Sequence, residues 1–111
     1  MTTTATIEQL TTATFDEAIA GSPLPVVVDV WAEWCPPCHT LEPILGAIAA
    51  EHADRLRVFK LNGDDHPEIS RRFGVMSLPT MLVFRDGQLV NRLVGARGKG
   101  RLLEDLADVL G

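Results

Sequence analysis

The chain has 111 residues, of which 46% are hydrophobic and 23% are charged, and its net charge is −5. These values exclude a disordered or collagen-like chain and fit one domain, residues 1–111, that buries about two thirds of its unfolded surface. Basic residues form no cluster beyond Arg71-Arg72 and the scattered Arg97, Lys99 and Arg101, which argues against nucleic acid as a partner.

The first residues, Met1 to Thr6, have neither the basic region nor the apolar stretch of a secretory signal. No apolar run approaches the roughly 18 residues of a membrane span. We therefore expect a cytoplasmic protein that does not associate with membranes. Idle thiols stay reduced in the cytoplasm, so a closely spaced cysteine pair there indicates catalysis or redox sensing.

The first half of the chain predicts two strands and two helices. Residues 6–10 fit a short edge strand, and Thr14 fits the N-cap of a short helix. The run Val26–Trp31 is apolar on both faces apart from Asp29, as in a central strand covered on both sides. A helix is predicted from Cys35, with a kink near its interior Pro43. Its apolar face carries Leu41, Ile44, Leu45 and Ile48.

The second half predicts a strand at residues 56–61 and a short helix at residues 67–73 that ends at Gly74. Asp86-Gly87 between two apolar runs, residues 80–84 and 89–94, predicts a β-hairpin. A C-terminal amphipathic helix completes an α/β order of elements in which helices cover both sides of the sheet. Its apolar face is formed by Leu102, Leu103, Leu106, Val109 and Leu110.

The two cysteines, Cys35 and Cys38, are the only ones in the chain. Residues three apart on a helical turn share one face, at a Cα separation within the roughly 4.4 to 6.8 Å of a disulfide. A structural disulfide across so short a loop gains the least entropy. The spacing therefore favours a pair that opens and closes in place.

Two other interpretations of the pair remain. Half of a zinc site is one, but zinc takes about four ligands, and the chain's histidines, His39, His52 and His66, form no second closely spaced pair. Two inert core cysteines are the other, although the prolines between them resist packing.

The position of the pair suggests a mechanism. At the start of a helix, Cys35 would face unpaired backbone N–H groups and the positive end of the helix dipole, and both favour its thiolate. Cys35 would attack a substrate disulfide, and the more buried Cys38 would resolve the mixed disulfide. Asp29, with a pKa raised by desolvation, would take the Cys38 proton, although a hydrogen-bonded structural role is the alternative. Lys60 either lies beside Asp29 or is a solvated edge lysine.

These residues resemble the thioredoxin family, in family order and over almost the whole chain. The combination of a strand aspartate, Trp-Cys-x-Pro-Cys and a later x-Pro-Thr is highly specific. The matching segments are residues 28–38, Pro43, residues 60–62, Leu78-Pro79-Thr80, Asp86-Gly87 and Val94-Gly95-Ala96.

The resemblance implies a thioredoxin fold, with a mixed sheet of about four to five strands flanked by about four helices. It implies that Cys35 is the nucleophile, Cys38 the resolving thiol, and Asp29 with Lys60 a buried acid/base pair. It also implies a cis Leu78-Pro79 bond and an apolar substrate platform. The platform would consist of Trp34, Leu78, Pro79, Gly95 and Ala96, bordered by Val75 and Met76.

The chain departs from the family pattern at three places. Pro36, which forms the active-site turn with Pro37, replaces the usual glycine and removes a backbone N–H. His39 stands where a lysine is common, which makes part of the local charge depend on pH. Met76 and Ser77 replace a basic residue and a glycine, a change expected to affect recognition by a reductase.

The resemblance implies a protein disulfide reductase that receives electrons from an NADPH-dependent thioredoxin reductase and acts on disulfide-containing proteins. We expect a monomer with no bound cofactor and no metal. Two alternatives remain, a disulfide oxidant or isomerase of the same fold and a non-catalytic, redox-independent binding subunit.

Overall fold

The computed structural model describes residues 5–110, and the ends of the expected domain, Met1 and Gly111, lie outside this range. Five strands form one sheet in the order β1-β3-β2-β4-β5. Five helices accompany the sheet in the described range. In chain order the elements are β1 (Glu8–Gln9), α1 (Thr12–Ala20), β2 (Val26–Trp31), α2 (Pro36–Glu51), β3 (Arg57–Asn62), α3 (Pro67–Arg72), β4 (Thr80–Arg85), β5 (Gln88–Val94), α4 (Lys99–Asp105) and α5 (Ala107–Leu110).

The sheet is mixed, with β2 at its centre. This strand runs parallel to β3 and antiparallel to β4, and all six of its residues are buried. The predicted hairpin between β4 and β5 is confirmed. Asp86 and Gly87 have φ angles of 52° and 78°, and positive φ at both central residues matches the right-handed twist of the flanking strands.

Both faces of the sheet are covered, as predicted. Apolar residues of α2 and α4 form one core with β2, and residues of α1 and α3 form a second core with the opposite face of β2. The first core includes Val27, Leu41, Leu45, Ile48, Leu102 and Leu106. The second includes Phe15, Ile19, Val26, Val28, Val30 and Ile69.

Two predictions for the start of the chain are corrected. The edge strand is limited to Glu8–Gln9, because only these residues pair with β3. The N-cap of α1 is Thr11 rather than Thr14. Thr11 accepts a hydrogen bond from the Thr14 backbone N–H, and Thr14 Oγ1 accepts one from the Thr11 N–H, so the two threonines form a capping box.

Two helix predictions are also refined. The active-site helix begins at Pro36, with Cys35 as its N-cap, and continues through Pro43 to Glu51. The predicted C-terminal helix is divided into α4 and α5 at Leu106, which explains five helices instead of about four. The apolar pattern extends across the break because Leu106 is itself buried in the core beside Leu102.

Candidate active site

Cys35 and Cys38 form a disulfide at the start of α2, with their Cα atoms 5.3 Å apart. Cys35 is the N-cap of the helix, and Pro36 and Pro37 occupy its first two positions. Proline is well suited to the first turn of a helix because the N–H groups there have no intrahelical partner. The sequence Cys-Pro-Pro-Cys therefore folds readily into a turn that holds both sulfurs together.

The backbone around Cys35 differs from the expectation of unpaired N–H groups. Pro36 and Pro37 have no N–H, and the N–H groups of Cys38 and His39 both donate to the Cys35 carbonyl, at 3.1 and 3.3 Å. None of these four residues offers a free N–H to the Cys35 sulfur. Stabilisation of a Cys35 thiolate by the helix therefore comes from the dipole.

The expectation that Cys38 is the more buried cysteine is not met in the disulfide form. Each cysteine is 2% exposed, and both pack with Trp31, Ala32 and Leu78. What distinguishes them is their place in the helix, since Cys35 is the N-cap and Cys38 lies within the first turn.

Asp29 lies in the middle of β2 and is 2% exposed. Its Oδ1 atom is buried and has no hydrogen-bond partner in the described part of the chain. The pKa of Asp29 is raised to about 7, mainly by burial and also by the charge of Glu42, while the charge of Lys60 acts to lower it. The raised pKa expected from desolvation is confirmed.

Lys60 is the neighbour of Asp29 across the β2–β3 pair. Its ammonium nitrogen lies 2.5 Å from Glu42 Oε1 and 5.3 Å from the centroid of the Trp31 ring. The side chain is 18% exposed, so the alternative of a solvated edge lysine is wrong.

Glu42 is a residue that the sequence reasoning missed. It lies on α2, four residues after Cys38, and its side chain reaches Lys60. The signal was a glutamate between the buried Leu41 and Leu45, which places a charged group next to the apolar face of the helix.

The raised pKa of Asp29 predicts how stability depends on pH. An aspartate in an unfolded chain has a pKa of about 3.9, so the folded protein binds this proton more tightly than the unfolded chain. The stabilisation is fully present below about pH 4 and is lost as pH rises through about 7. With about 1.4 kcal/mol per unit, a rise from 3.8 to about 7 corresponds to a loss of about 4 kcal/mol.

Asp29→Asn cannot ionise, so we expect its unfolding free energy to lack this decline. The measurement is urea unfolding of the oxidised wild type and variant at several pH values between about 4 and 8. Between these pH values, the unfolding free energy of the variant relative to that of the wild type should increase by about 4 kcal/mol. Parallel pH profiles for the two proteins would contradict the raised pKa.

The expected substrate platform is only partly brought together. Trp34, Val75, Met76 and Leu78 line one groove, with Asp64 among its other residues. Trp34 is 66% exposed and Met76 is 94% exposed. Asp64, which the sequence reasoning missed, accepts a hydrogen bond from Trp34 Nε1 at 2.8 Å and so holds the indole beside the groove.

The remaining platform residues, Pro79, Gly95 and Ala96, do not line this groove, and Pro79, whose peptide bond with Leu78 is cis, is buried. The Gly95 N–H donates to the Pro79 carbonyl at 2.9 Å, which holds the segment after β5 beside Pro79. Ala96, however, lines a separate hollow with Leu41 and Ile44 of α2. The cis bond expected from the resemblance is confirmed, but Ala96 is not part of the Trp34 groove.

Residues 5–110 bear on metal binding and on membrane insertion in two respects. No three or more His, Cys, Asp or Glu residues of this range lie in a group that could hold a metal ion. Within the same range, no helix has the length and apolar character needed to cross a membrane.

The chain is similar to known proteins over nearly its whole length. A family model described as Thioredoxin matches residues 6–108. A thioredoxin of Mycobacterium tuberculosis is 49% identical over 106 residues, which cover 96% of this chain and 90% of that protein. A thioredoxin of Alicyclobacillus acidocaldarius is 48% identical over 101 residues, covering 91% of this chain and 95% of that protein. A bifunctional thioredoxin reductase/thioredoxin of Mycobacterium leprae is 50% identical over 102 residues, covering 92% of this chain and 22% of that protein.

Proposed function

The chain belongs to the thioredoxin family of protein disulfide reductases, and we propose how its residues share the reaction. The Cys35 thiolate attacks one sulfur of a substrate disulfide, forms a mixed disulfide and releases the first substrate thiolate. The Cys38 thiolate then attacks the Cys35 sulfur and releases the second. Two electrons pass from the cysteine pair to the substrate, and the Cys35–Cys38 disulfide is formed.

The observation that carries this assignment is the position of Cys35 as the N-cap of α2. The positive end of the helix dipole favours the thiolate, which is the nucleophile in disulfide exchange. Cys38 lies within the first turn of the same helix, at the 5.3 Å Cα separation that lets it reach the Cys35 sulfur.

We further propose that Asp29 accepts the Cys38 proton, directly or through water, during the resolving step. A general base is most effective when its pKa lies near the working pH, and the pKa of Asp29 is about 7. Lys60, beside Asp29 across the β2–β3 pair, moderates the charge that Asp29 acquires when it is ionised.

Substrate binding is proposed for the groove and its border. Trp34, Val75, Met76 and Leu78 supply exposed or partly exposed apolar surface. Pro79, which is buried, and the partly exposed Gly95, which donates to its carbonyl, border this surface next to Leu78. An unfolded or loop-bound disulfide peptide fits such a shallow surface, because alternating apolar contacts and backbone groups require no deep pocket.

The family needs no prosthetic group, and its redox-active disulfide is the reacting group. We propose that electrons reach this disulfide from an NADPH-dependent thioredoxin reductase. Support comes from the Mycobacterium leprae relative, whose name describes a thioredoxin reductase and a thioredoxin in one protein. We also propose that the chain acts as a monomeric single domain in the cytoplasm, where a reductase of this kind meets a reducing pool.

Single-turnover reduction of a protein disulfide by serine variants of the two cysteines tests these roles. Cys35→Ser should form no mixed disulfide with the substrate, whereas Cys38→Ser should form the mixed disulfide and fail to resolve it. Failure of either variant to stop at its assigned point would overturn the assignment.

A further inference from the structure

Glu42 lies on the helix that carries the active-site cysteines and forms an ion pair with a lysine of the sheet. It lies one turn beyond Cys38 on α2, and its side chain is 40% exposed. Its Oε1 atom accepts a hydrogen bond from the Lys60 ammonium at 2.5 Å. The pair lines a surface hollow between α2 and β3, together with Ala5, Thr6, Ile7, Pro43 and Gly46.

This ion pair leaves Asp29 without the hydrogen bond that its neighbour would otherwise supply. Lys60 stands next to Asp29 in the sheet, yet its ammonium is bonded to Glu42, and Asp29 Oδ1 has no partner among the described residues. A lysine side chain is long and flexible enough to pair with either of two nearby carboxylates. Glu42 therefore competes with Asp29 for one cation.

The surroundings of Asp29 contain few other charges. Its neighbour on β4 is the apolar Met81, and the charged groups that act on it are Glu42 from α2 and Lys60 from β3. Of these two, Glu42 has the larger effect on the pKa of Asp29 and raises it. Repulsion between two carboxylates favours the protonated form of the more buried one.

We propose that Glu42 is a positioning residue for the resolving step, because it holds the Lys60 ammonium away from Asp29 and keeps the Asp29 carboxyl able to accept the Cys38 proton. This inference rests on the proposed role of Asp29 as the base. It assigns Glu42 no contact with substrate and no part in the first attack. The working unit for proton transfer is thus Asp29, Lys60 and Glu42.

Glu42→Gln tests the proposal, since it keeps the size of the side chain but removes its charge. Lys60 is then free to pair with Asp29, and both changes favour the ionised carboxylate. We expect the titration midpoint of the Asp29 carboxyl carbon, followed by NMR in the oxidised protein, to fall by about one unit. The midpoint of the pH profile of the resolving step should fall by the same amount, while the first attack is unchanged.

Glu51→Gln is the matched control. Glu51 lies on the same helix and also forms an ion pair, with Lys99, but it does not act on Asp29. Its variant should leave both midpoints at the wild-type pH. Lys60→Met supplies a change of opposite sign, because the cation is lost while Glu42 stays, and the midpoint should rise. A general disturbance of the structure would instead move the Asp29 midpoint in the same direction in Glu42→Gln and in Lys60→Met.

An Asp29 midpoint in Glu42→Gln equal to that of the wild type would overturn this inference and leave the role of Asp29 intact. The proposed role of Asp29 as the base fails separately, if Asp29→Asn resolves mixed disulfides at the wild-type rate. Asp29→Asn also assigns the carboxyl signal, since that signal disappears in the variant.

Discussion

Cys38→Ser should attack a protein disulfide and then stop, with the substrate still attached to Cys35. Cys35→Ser should form no covalent adduct at all. The reason is that the Cys35 thiolate forms the mixed disulfide with the substrate, and only the Cys38 thiolate can break that bond quickly. The Cα atoms of the two cysteines are 5.3 Å apart. Steady-state turnover should fall on the order of 1,000-fold or more in each variant.

The measurement is mass spectrometry of the variants after mixing with a disulfide-containing protein and rapid acid quenching. The adduct of Cys38→Ser should be released by added dithiol, which identifies it as a mixed disulfide. The variant with both cysteines replaced is the control for non-covalent association. An adduct on Cys38 in Cys35→Ser, at a rate like that of the wild type, would contradict the order of attack.

The second large effect is expected for Asp29→Asn. The resolving step should slow on the order of 100-fold at pH 7, because general-base catalysis contributes at least that much, while the first attack keeps its rate. In the wild type the resolving rate should rise as pH increases through about 7, where Asp29 loses its proton. The variant should lack this rise. Single-turnover kinetics with separate detection of mixed disulfide and released product measures both steps.

Asp54→Asn serves as the control for this experiment, because Asp54 is exposed and the same charge is removed far from any proton transfer. It should match the wild type in both steps. Equal slowing of attack and resolution in Asp29→Asn would show that Asp29 supports the fold of the site rather than the transfer of the Cys38 proton.

Much of the fold was predictable because its strongest signals are local. A strand apolar on both faces, such as Val26–Trp31, has to lie inside a sheet, and Asp86-Gly87 has the residues that a tight hairpin requires. The errors concern details that depend on neighbours. Thr11 and Thr14 are both good caps in sequence, and only the reciprocal hydrogen bonds between them decide which one is the N-cap.

The candidate site was predictable where its residues are close together in the sequence or lie within an apolar strand. The disulfide and the raised pKa of Asp29 follow from spacing and from burial. The Glu42–Lys60 ion pair could not be predicted, since the two residues are 18 positions apart and a half-exposed glutamate on a helix looks like a solvated one. The place of Ala96 also depends on the path of a loop, which sequence patterns do not determine.

The reduction potential of the Cys35–Cys38 pair decides whether the protein reduces or donates disulfides. The oxidised and reduced forms can be distinguished in defined dithiol/disulfide buffers by the fluorescence of Trp34, which lies next to Cys35 in the chain, and of Trp31, which packs with both cysteines. A protein disulfide reductase should have a potential of about −270 mV, below that of the glutathione pool. A potential above about −180 mV would contradict the account and indicate a protein that donates disulfides.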